Sequence, residues 1–307
     1  MVIAECPPTS GTRECGAADC RKVRMNMDEL ELTEPWEGVL ITPGPSSHTG
    51  VLVLAGSSGR IERERARILA QEGMTAMSIR WYGGPGQSPG ICEIPLETFV
   101  SAIDLLESTG VRRICLLGSS KGAEAALLTS IHDPRVDGVV AMSPTSVVWG
   151  NIGPGLDGQQ HPYRSSWTWK GQPLPFVPYD DDWRAAEPAN GPKAIRGWYE
   201  RSERTFADLL PTAGIPIEET RADVLLVAGG DDAMWPSLPF AERLAARRRA
   251  AGRPARLISS AEAGHRLRLP GEGPAPASPQ FLYGGDAVAD AELGAAAWPH
   301  ILDLLRG

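Results

Sequence analysis

The segment 118–122, Gly-Ser-Ser-Lys-Gly, places a serine between an apolar run at 114–117 and a helix-like run at 123–131. This context predicts a strand, a sharp turn and a helix, with Ser120 at the tip of the turn. Flanking glycines fit such a turn because it strains the backbone and brings strand and helix too close for side chains. Ser120 is therefore the candidate nucleophile, and the alternative is a plain strand-to-helix turn.

A serine hydroxyl needs a histidine to take its proton and a carboxylate to orient that histidine. His265 follows a predicted strand at 256–260 and lies near the end of the chain, where this arrangement places its base. The other four histidines lack a strand-end setting: His48, His132, His161 and His300. We therefore assign the base to His265.

The carboxylate is expected between the serine and the histidine in the sequence. A buried-type strand at 224–228 breaks into a glycine-rich loop that carries Asp231 and Asp232. We predict that Asp232 faces the histidine and that Asp231 hydrogen-bonds within the loop. The exchanged assignment stays open, and so does a role for the two acids in capping the helix that begins near Ser237.

Attack on a carbonyl also requires donors for the developing oxyanion. The backbone N–H of Lys121 is one candidate, because it follows the nucleophile. The loop 56–59, Gly-Ser-Ser-Gly, follows the first strongly apolar strand and supplies Ser57 as the second donor, with Ser58 as its replacement. The loop does not match G-x-G-x-x-G, so we do not expect a nucleotide there.

The rest of the chain alternates strand-like and helix-like segments. An antiparallel entry pair is predicted at 25–32 and 38–41, followed by strands and helices in turn up to residue 305. This alternation predicts the α/β class, with a mainly parallel sheet covered by helices on both faces. We expect a loose leader at 1–22 and one catalytic domain at 23–307.

An irregular segment at 143–219 interrupts the alternation and is rich in proline, glycine and tryptophan. Long irregular segments within compact domains are often lids or binding insertions. We predict that it covers the site, and we name as substrate-binding residues Ser58, Trp149, Trp167, Trp169 and Trp235. The alternative is that the tryptophans form a small core within the insertion.

Charge and composition limit the other classes of function. A net charge of −8 disfavours nucleic acid as a partner. No apolar run is long enough to span a bilayer and no secretory signal is visible, so we expect a cytoplasmic protein without a membrane partner. The spacing of Cys6, Cys15 and Cys20 lacks a C-x2-C pair, so we expect no metal site.

Several motifs together resemble one known family. They are the segment 118–124, Ser-Trp-Thr-Trp at 166–169, Asp-Asp-Ala-Met-Trp-Pro at 231–236, Gly-His at 264–265 and Tyr-Gly-Gly at 283–285. From about residue 25 onward the chain is similar to the C-terminal catalytic domain shared by acyl-CoA thioesterases and bile acid-CoA:amino acid N-acyltransferases. The resemblance implies an α/β-hydrolase fold with Ser120, Asp232 and His265 as its triad, and we expect no cofactor.

The resemblance implies transfer of an acyl group from an acyl-CoA or an acyl carrier protein. Serine at position 120 is typical of the family's hydrolases, whereas its transferases use cysteine, so we favour hydrolysis of a thioester. An oxygen esterase or lactonase and an acyltransferase to an amine or alcohol remain alternatives. Five arginines between 243 and 253 form either an attractive surface for a phosphorylated carrier or a solvated helix face.

Two departures from the family pattern stand out. The N-terminal β-sandwich domain of the two-domain members is not present in this sequence, so we expect the insertion to control the length of the acyl chain. After His265 the chain reads Arg-Leu-Arg-Leu-Pro at 266–270, where the family usually carries an acidic or apolar residue and a proline pair. This second difference leaves the identity of the acyl group open.

Overall fold

The computed structural model describes residues 27–44, 47–185 and 190–307. The predicted leader and Cys6, Cys15 and Cys20 lie outside these ranges. The strands, in chain order, are β1 Met27–Leu32, β2 Gly38–Pro43, β3 Thr49–Leu54, β4 Thr75–Ile79, β5 Ile94–Pro95, β6 Arg113–Ser119, β7 Val136–Met142, β8 Trp167–Trp169, β9 Gln172–Pro173, β10 Asp223–Gly229 and β11 Arg256–Ser260.

The helices lie between these strands along the chain. They are α1 Arg63–Gln71, α2 Glu97–Ser108, α3 Lys121–His132, α4 Arg196–Thr205, α5 Leu210–Ala213, α6 Ser237–Ala250 and α7 Ala287–Arg306, with a 3₁₀ turn at Ala207–Leu209. None of the helices in the described ranges combines the length and apolarity needed to cross a bilayer.

Eight strands form one sheet in the order β1-β2-β4-β3-β6-β7-β10-β11. The antiparallel pairs are β1 with β2 and β2 with β4, and the remaining neighbours are parallel. The predicted entry pair and the mainly parallel sheet are therefore confirmed. Because parallel strands end at the same edge, the loops after β3, β6, β10 and β11 meet there.

Alternate residues of the strands serve two cores. In β3, Leu52 and Leu54 pack toward α2, α3 and α6, whereas Val51 and Val53 pack toward α1 and α7. Both sets are fully buried, so the sheet is covered on both faces, as a nearly continuous apolar strand requires.

The segment between β7 and β10 contains several short regular elements. The helices α4 and α5 lie in it, and so do the strands β8 and β9. These two strands form a second sheet with β5, which comes earlier in the chain, in the order β5-β8-β9. The segment's aromatic side chains join a third buried cluster that includes Trp149, Tyr179, Tyr199 and Trp235. Most of the segment has neither helix nor strand, as the irregular sequence indicated. Its short elements, supported by aromatic packing, leave no periodic pattern in the sequence.

Candidate active site

Ser120 occupies a strained turn between β6 and α3. Its φ and ψ angles are 56° and −122°, a region that a non-glycine residue enters only when the surrounding structure holds it there. A Cβ added at Gly118 would lie 2.1 Å from the Gly122 carbonyl oxygen, and one added at Gly122 would lie 2.4 Å from the Ala55 carbonyl oxygen. Both flanking positions therefore require glycine.

His265 follows β11 and is held by a buried carboxylate. Its Nδ1 lies 2.7 Å from Asp232 Oδ2, and Asp232 is fully buried. The other oxygen, Asp232 Oδ1, accepts hydrogen bonds from the backbone N–H groups of Met234 at 2.8 Å and Trp235 at 3.2 Å. Since a carboxylate can only accept, Nδ1 donates, and the free Nε2 of the neutral imidazole can accept a proton.

Asp231 takes a different position in the same loop. Its Oδ2 accepts a hydrogen bond of 2.8 Å from the backbone N–H of Gly285. The residue before α6, Pro236, gives that helix no side-chain cap. The structure thus brings Asp232, and not Asp231, to the imidazole.

The loop that carries His265 is fixed on several sides. Its backbone N–H donates to the Tyr283 carbonyl at 2.8 Å, and the Trp235 ring meets the imidazole edge to face with centroids 5.7 Å apart. The Gly264 N–H donates to Asp290 Oδ1 at 2.7 Å. Burial raises the pKa of Asp290, and the Gly264 hydrogen bond opposes that rise. These contacts restrict the imidazole to one orientation.

Two groups of backbone N–H donors lie beside the serine. The N–H of Lys121 has no acceptor within the described residues, and neither do those of Ser57 and Ser58. The Gly59 N–H closes the turn of that loop onto the Gly56 carbonyl at 3.1 Å. A Cβ added at Gly56 would lie 3.5 Å from Ser120 Oγ, so the loop passes close to the candidate nucleophile.

Ser120 and His265 border the same cavity, which has a volume of about 740 Å³. No hydrogen bond joins their side chains in the part of the chain that the structure describes. Such bonds are often long in a free enzyme and tighten when substrate binds. The volume lies within the range of small-molecule sites.

The cavity wall carries both aromatic and basic side chains. The aromatic residues come largely from the insertion and are Tyr163, Tyr179, Trp198, Tyr199, Phe281 and Tyr283. The basic residues are Arg60, Arg63, Arg65, Arg266 and Arg268.

The side chain of Lys121 points away from the donors and into the protein. Its Nζ lies 2.8 Å from Glu124 Oε2 and 2.9 Å from Ser166 Oγ, and both charged side chains are fully buried. Burial lowers the pKa of Lys121, and Glu124 partly offsets this effect. The ion pair thus lies directly beneath the turn at 118–122, which we call the elbow.

Four tryptophans predicted to bind substrate lie elsewhere in the described structure, and none of the four borders the cavity. Trp149 and Trp167 are fully buried, and Glu124 Oε1 accepts from the Trp149 backbone N–H at 3.1 Å and from Trp167 Nε1 at 2.8 Å. Trp169 stacks on His132, and Trp235 packs against His265. Ser58, by contrast, lines the cavity.

The structure adds a buried pair that the sequence did not reveal. Arg65 Nε lies 2.5 Å from Glu272 Oε1, and Arg65 Nη1 donates to Ser119 Oγ at 2.8 Å. The two charged residues are 207 positions apart, so no local pattern connects them. The pair joins α1 and the loop after His265 to the residue before Ser120.

Three of the arginines on α6 are held by contacts within the protein. Arg243 pairs with Glu203 and Arg247 with Glu218, while Arg248 donates to backbone carbonyls. None of the five borders the cavity of the described chain. Within the described ranges, no group of three or more potential ligands is placed to hold a metal ion.

Comparisons with known proteins agree with this fold. The chain is 26% identical over 244 residues to acyl-coenzyme A thioesterase 1 of Homo sapiens, covering 76% of this chain and 52% of that protein. It is 22% identical over 283 residues to bile acid-CoA:amino acid N-acyltransferase of Mus musculus, covering 87% of this chain and 62% of that protein. The chain therefore spans about half to three fifths of these relatives' lengths.

Solved structures show the same architecture at low identity. A Klebsiella pneumoniae protein assigned as a dienelactone hydrolase matches with a TM-score of 0.54 and 15% identity, covering 92% of this chain and 98% of that one. A puromycin-hydrolyzing peptidase of Mycobacterium tuberculosis matches with a TM-score of 0.52 and 13% identity, covering 92% and 39%. The fold is the α/β-hydrolase fold.

The family model described as BAAT / Acyl-CoA thioester hydrolase C terminal matches residues 94–306. This range includes the elbow with Ser120 and the loops that carry Asp232 and His265, and it covers more than half of the chain. The chain belongs to the BAAT and acyl-CoA thioester hydrolase C-terminal family.

Proposed function

We propose that this chain hydrolyses acyl thioesters through a covalent intermediate on Ser120. The observation that carries the proposal is the pairing of His265 with the buried Asp232, on a loop that borders the same cavity as Ser120. A neutral imidazole held in one tautomer by a carboxylate is the general base that a serine nucleophile requires.

In the first half of the reaction, His265 Nε2 takes the hydroxyl proton while Ser120 Oγ forms a bond to the thioester carbon. The N–H groups of Lys121 and Ser57 bind the oxyanion. The carbon–sulfur bond then breaks, and the thiolate leaves with the proton from the imidazolium.

In the second half, water attacks the acyl-enzyme and gives its proton to the same imidazole. The bond to Ser120 breaks, the proton returns to the serine, and the free acid leaves. Asp232 stays ionised and stabilises the imidazolium in both halves. Removal of one oxyanion donor costs about 10²- to 10³-fold in rate in other enzymes, which sets the scale for these N–H groups.

The thioester as substrate rests on the family and on the names of the relatives. The aromatic residues of the cavity lining suit the methylene groups of an acyl chain. The carrier is an acyl-CoA or an acyl carrier protein.

A panel of acyl-CoA thioesters of increasing chain length, followed by release of free thiol, tests the proposal. The wild type is expected to release thiol at least about 10³-fold faster than Ser120→Ala, because nucleophilic catalysis is lost. Equal rates for the two proteins would refute it. Labelling with a fluorophosphonate, followed by mass spectrometry, should modify Ser120, and modification of another serine instead would exclude its role.

Further substrates distinguish thioester hydrolysis from ester hydrolysis and from acyl transfer. Oxygen esters of the same acyl groups test for an esterase or lactonase, and acyl-CoA with an added amine or alcohol tests for a transferase. Hydrolysis of the thioester without an acceptor, in preference to the oxygen ester, is the expected result.

A further inference from the structure

The five arginines that line the cavity outnumber the three carboxylates in its lining. Arg60 pairs with Glu62, and Arg65 pairs with Glu272. Arg63 also pairs with carboxylates, those of Glu29 and Glu31. Arg266 and Arg268 have no carboxylate partner in the residues that the structure describes. In a chain with a net charge of −8, such a site attracts an anion locally.

The carboxylates in the cavity wall do not supply the missing partner. They belong to Glu62, Glu64 and Glu272. The first and third bind arginines, as described, and Glu64 accepts from the Gly273 backbone N–H at 3.0 Å.

Arg266 is held in place without being neutralised. Its guanidinium carbon lies 3.5 Å from the centroid of the Tyr283 ring, and Nη1 donates to the Pro276 carbonyl oxygen. Stacking and one neutral acceptor orient the planar group and leave its other N–H donors for a ligand.

Arg268 also lines the cavity. Its Nη2 donates to the Glu272 carbonyl at 2.8 Å, and its buried Nε has no hydrogen-bond partner in the described chain. That Nε is closed to solvent and therefore does not face the cavity, so Arg268 contributes its positive charge to the site.

The position of Arg266 decides which anion fits. The Tyr283 ring that carries the guanidinium stacks on the imidazole of His265 with centroids 6.1 Å apart. The charge therefore lies one aromatic ring from the candidate base. In an acyl-CoA the whole pantetheine arm separates the thioester from the nearest phosphate, whereas a short acyl chain can place a carboxylate this close.

We propose that Arg266, supported by Arg268, binds a carboxylate at the far end of the acyl group, so that the preferred substrates are monothioesters of short dicarboxylic acids. The inference rests on the proposed function, because it names the acyl group for the same site. A planar guanidinium recognises a carboxylate through two parallel N–H donors.

The test compares pairs of thioesters of equal length that differ only in a terminal carboxylate, each made with CoA and with N-acetylcysteamine, which lacks phosphate. We expect the wild type to prefer the carboxylate member with both leaving groups. Arg266→Gln should lower kcat/KM for that member about 10- to 100-fold, as for loss of a charged hydrogen bond, and change the neutral member less than about 3-fold. Arg266→Lys should restore part of the preference.

Arg80→Gln is the matched control, because Arg80 pairs with Glu37 at the surface outside the cavity, and it should leave both members unchanged. An Arg266→Gln effect equal on both members, or one that follows CoA and not the acyl carboxylate, would overturn the inference. Turnover of neutral acyl-CoA by the wild type without the preference would overturn it too, while leaving the proposed function intact.

A binding measurement keeps the inference testable without turnover. Calorimetric titration of Ser120→Ala with a short dicarboxylic acid should give tighter binding than the matched monocarboxylic acid. The advantage should vanish in Ser120→Ala with Arg266→Gln. Equal binding of the two acids by Ser120→Ala would contradict the assignment.

Discussion

Lys121 Nζ lies 2.8 Å from Glu124 Oε2 where neither side chain reaches solvent. Glu124 also accepts from Trp167 Nε1 and the Trp149 backbone, and Ser166 Oγ accepts from the lysine. One ion pair thus connects the first turn of α3, which begins after Ser120, to the insertion above it.

Removing one partner of this pair is expected to be costly. Glu124→Ala should lower the free energy of unfolding by about 3 to 5 kcal/mol, because it leaves a buried lysine without its counter-charge. The apolar pair Lys121→Met with Glu124→Leu should cost less than Glu124→Ala alone. Urea denaturation measures both, and a loss below about 1 kcal/mol for Glu124→Ala would show that the pair is not coupled to stability.

Asp231 and Asp232 are adjacent but hold different partners, which gives a matched comparison. Asp232→Asn should lower kcat for thioester hydrolysis about 10³- to 10⁴-fold, because the amide removes the negative charge and can donate to Nδ1, which favours the wrong tautomer. Asp231→Asn should cost less than about 10-fold, since it affects only the bond to Gly285. A larger loss for Asp231→Asn than for Asp232→Asn would reverse the assignment.

Trp198 and Trp169 allow a tryptophan in the cavity wall to be compared with one outside it. Trp198 borders the cavity and Trp169 stacks on His132 outside it. Trp198→Ala should raise KM for long acyl chains more than for short ones, because part of the apolar surface is removed. Trp169→Ala should leave the chain-length profile unchanged, and a profile that shifts only in Trp169→Ala would place the acyl chain elsewhere.

Asp180 anchors α4 within the insertion, and this interaction should make the free energy of unfolding depend on pH. Hydrogen bonds from Thr205 and Arg201 lower its pKa from the usual 3.8 to about 2. A carboxyl group whose pKa is lowered by folding stabilises the folded state at pH values above its pKa in the unfolded chain. This contribution is lost as the pH falls toward its pKa in the folded protein. The difference in free energy of unfolding between wild type and Asp180→Asn should therefore be constant above about pH 4 and shrink toward pH 2. Urea titrations at several pH values measure it, and a difference that does not change with pH would contradict the anchor.

Local patterns predicted most of the sheet and the elbow. β11 has the predicted bounds, Arg256–Ser260, and β10 extends the predicted 224–228 by one residue at each end, Asp223–Gly229. In both cases apolar periodicity and the flanking residues lie in one short window, which is the information that a sequence shows directly.

The walls of the site were harder to predict, because they depend on contacts between distant segments. Tryptophan content pointed to Trp149 and Trp167 as binding residues, yet the fold buries both behind the wall and brings Tyr163 and Trp198 to the cavity. Arg65 and Glu272 meet only after α1 and the loop following His265 have docked. The composition of a segment shows which side chains are available, whereas tertiary packing determines which of them line the cavity.

The tight approach of Gly118 to Gly122 has an evolutionary consequence. Gly118 and Gly122 each accept a single amino acid, since a methyl group at either would overlap backbone atoms, whereas Ser120, midway between them, borders the cavity. A single codon change can therefore exchange oxygen for sulfur at position 120 on an unaltered scaffold. A substitution at either glycine would prevent the turn from forming, whichever nucleophile it carried. The nucleophile can therefore change during evolution, whereas the two glycines cannot.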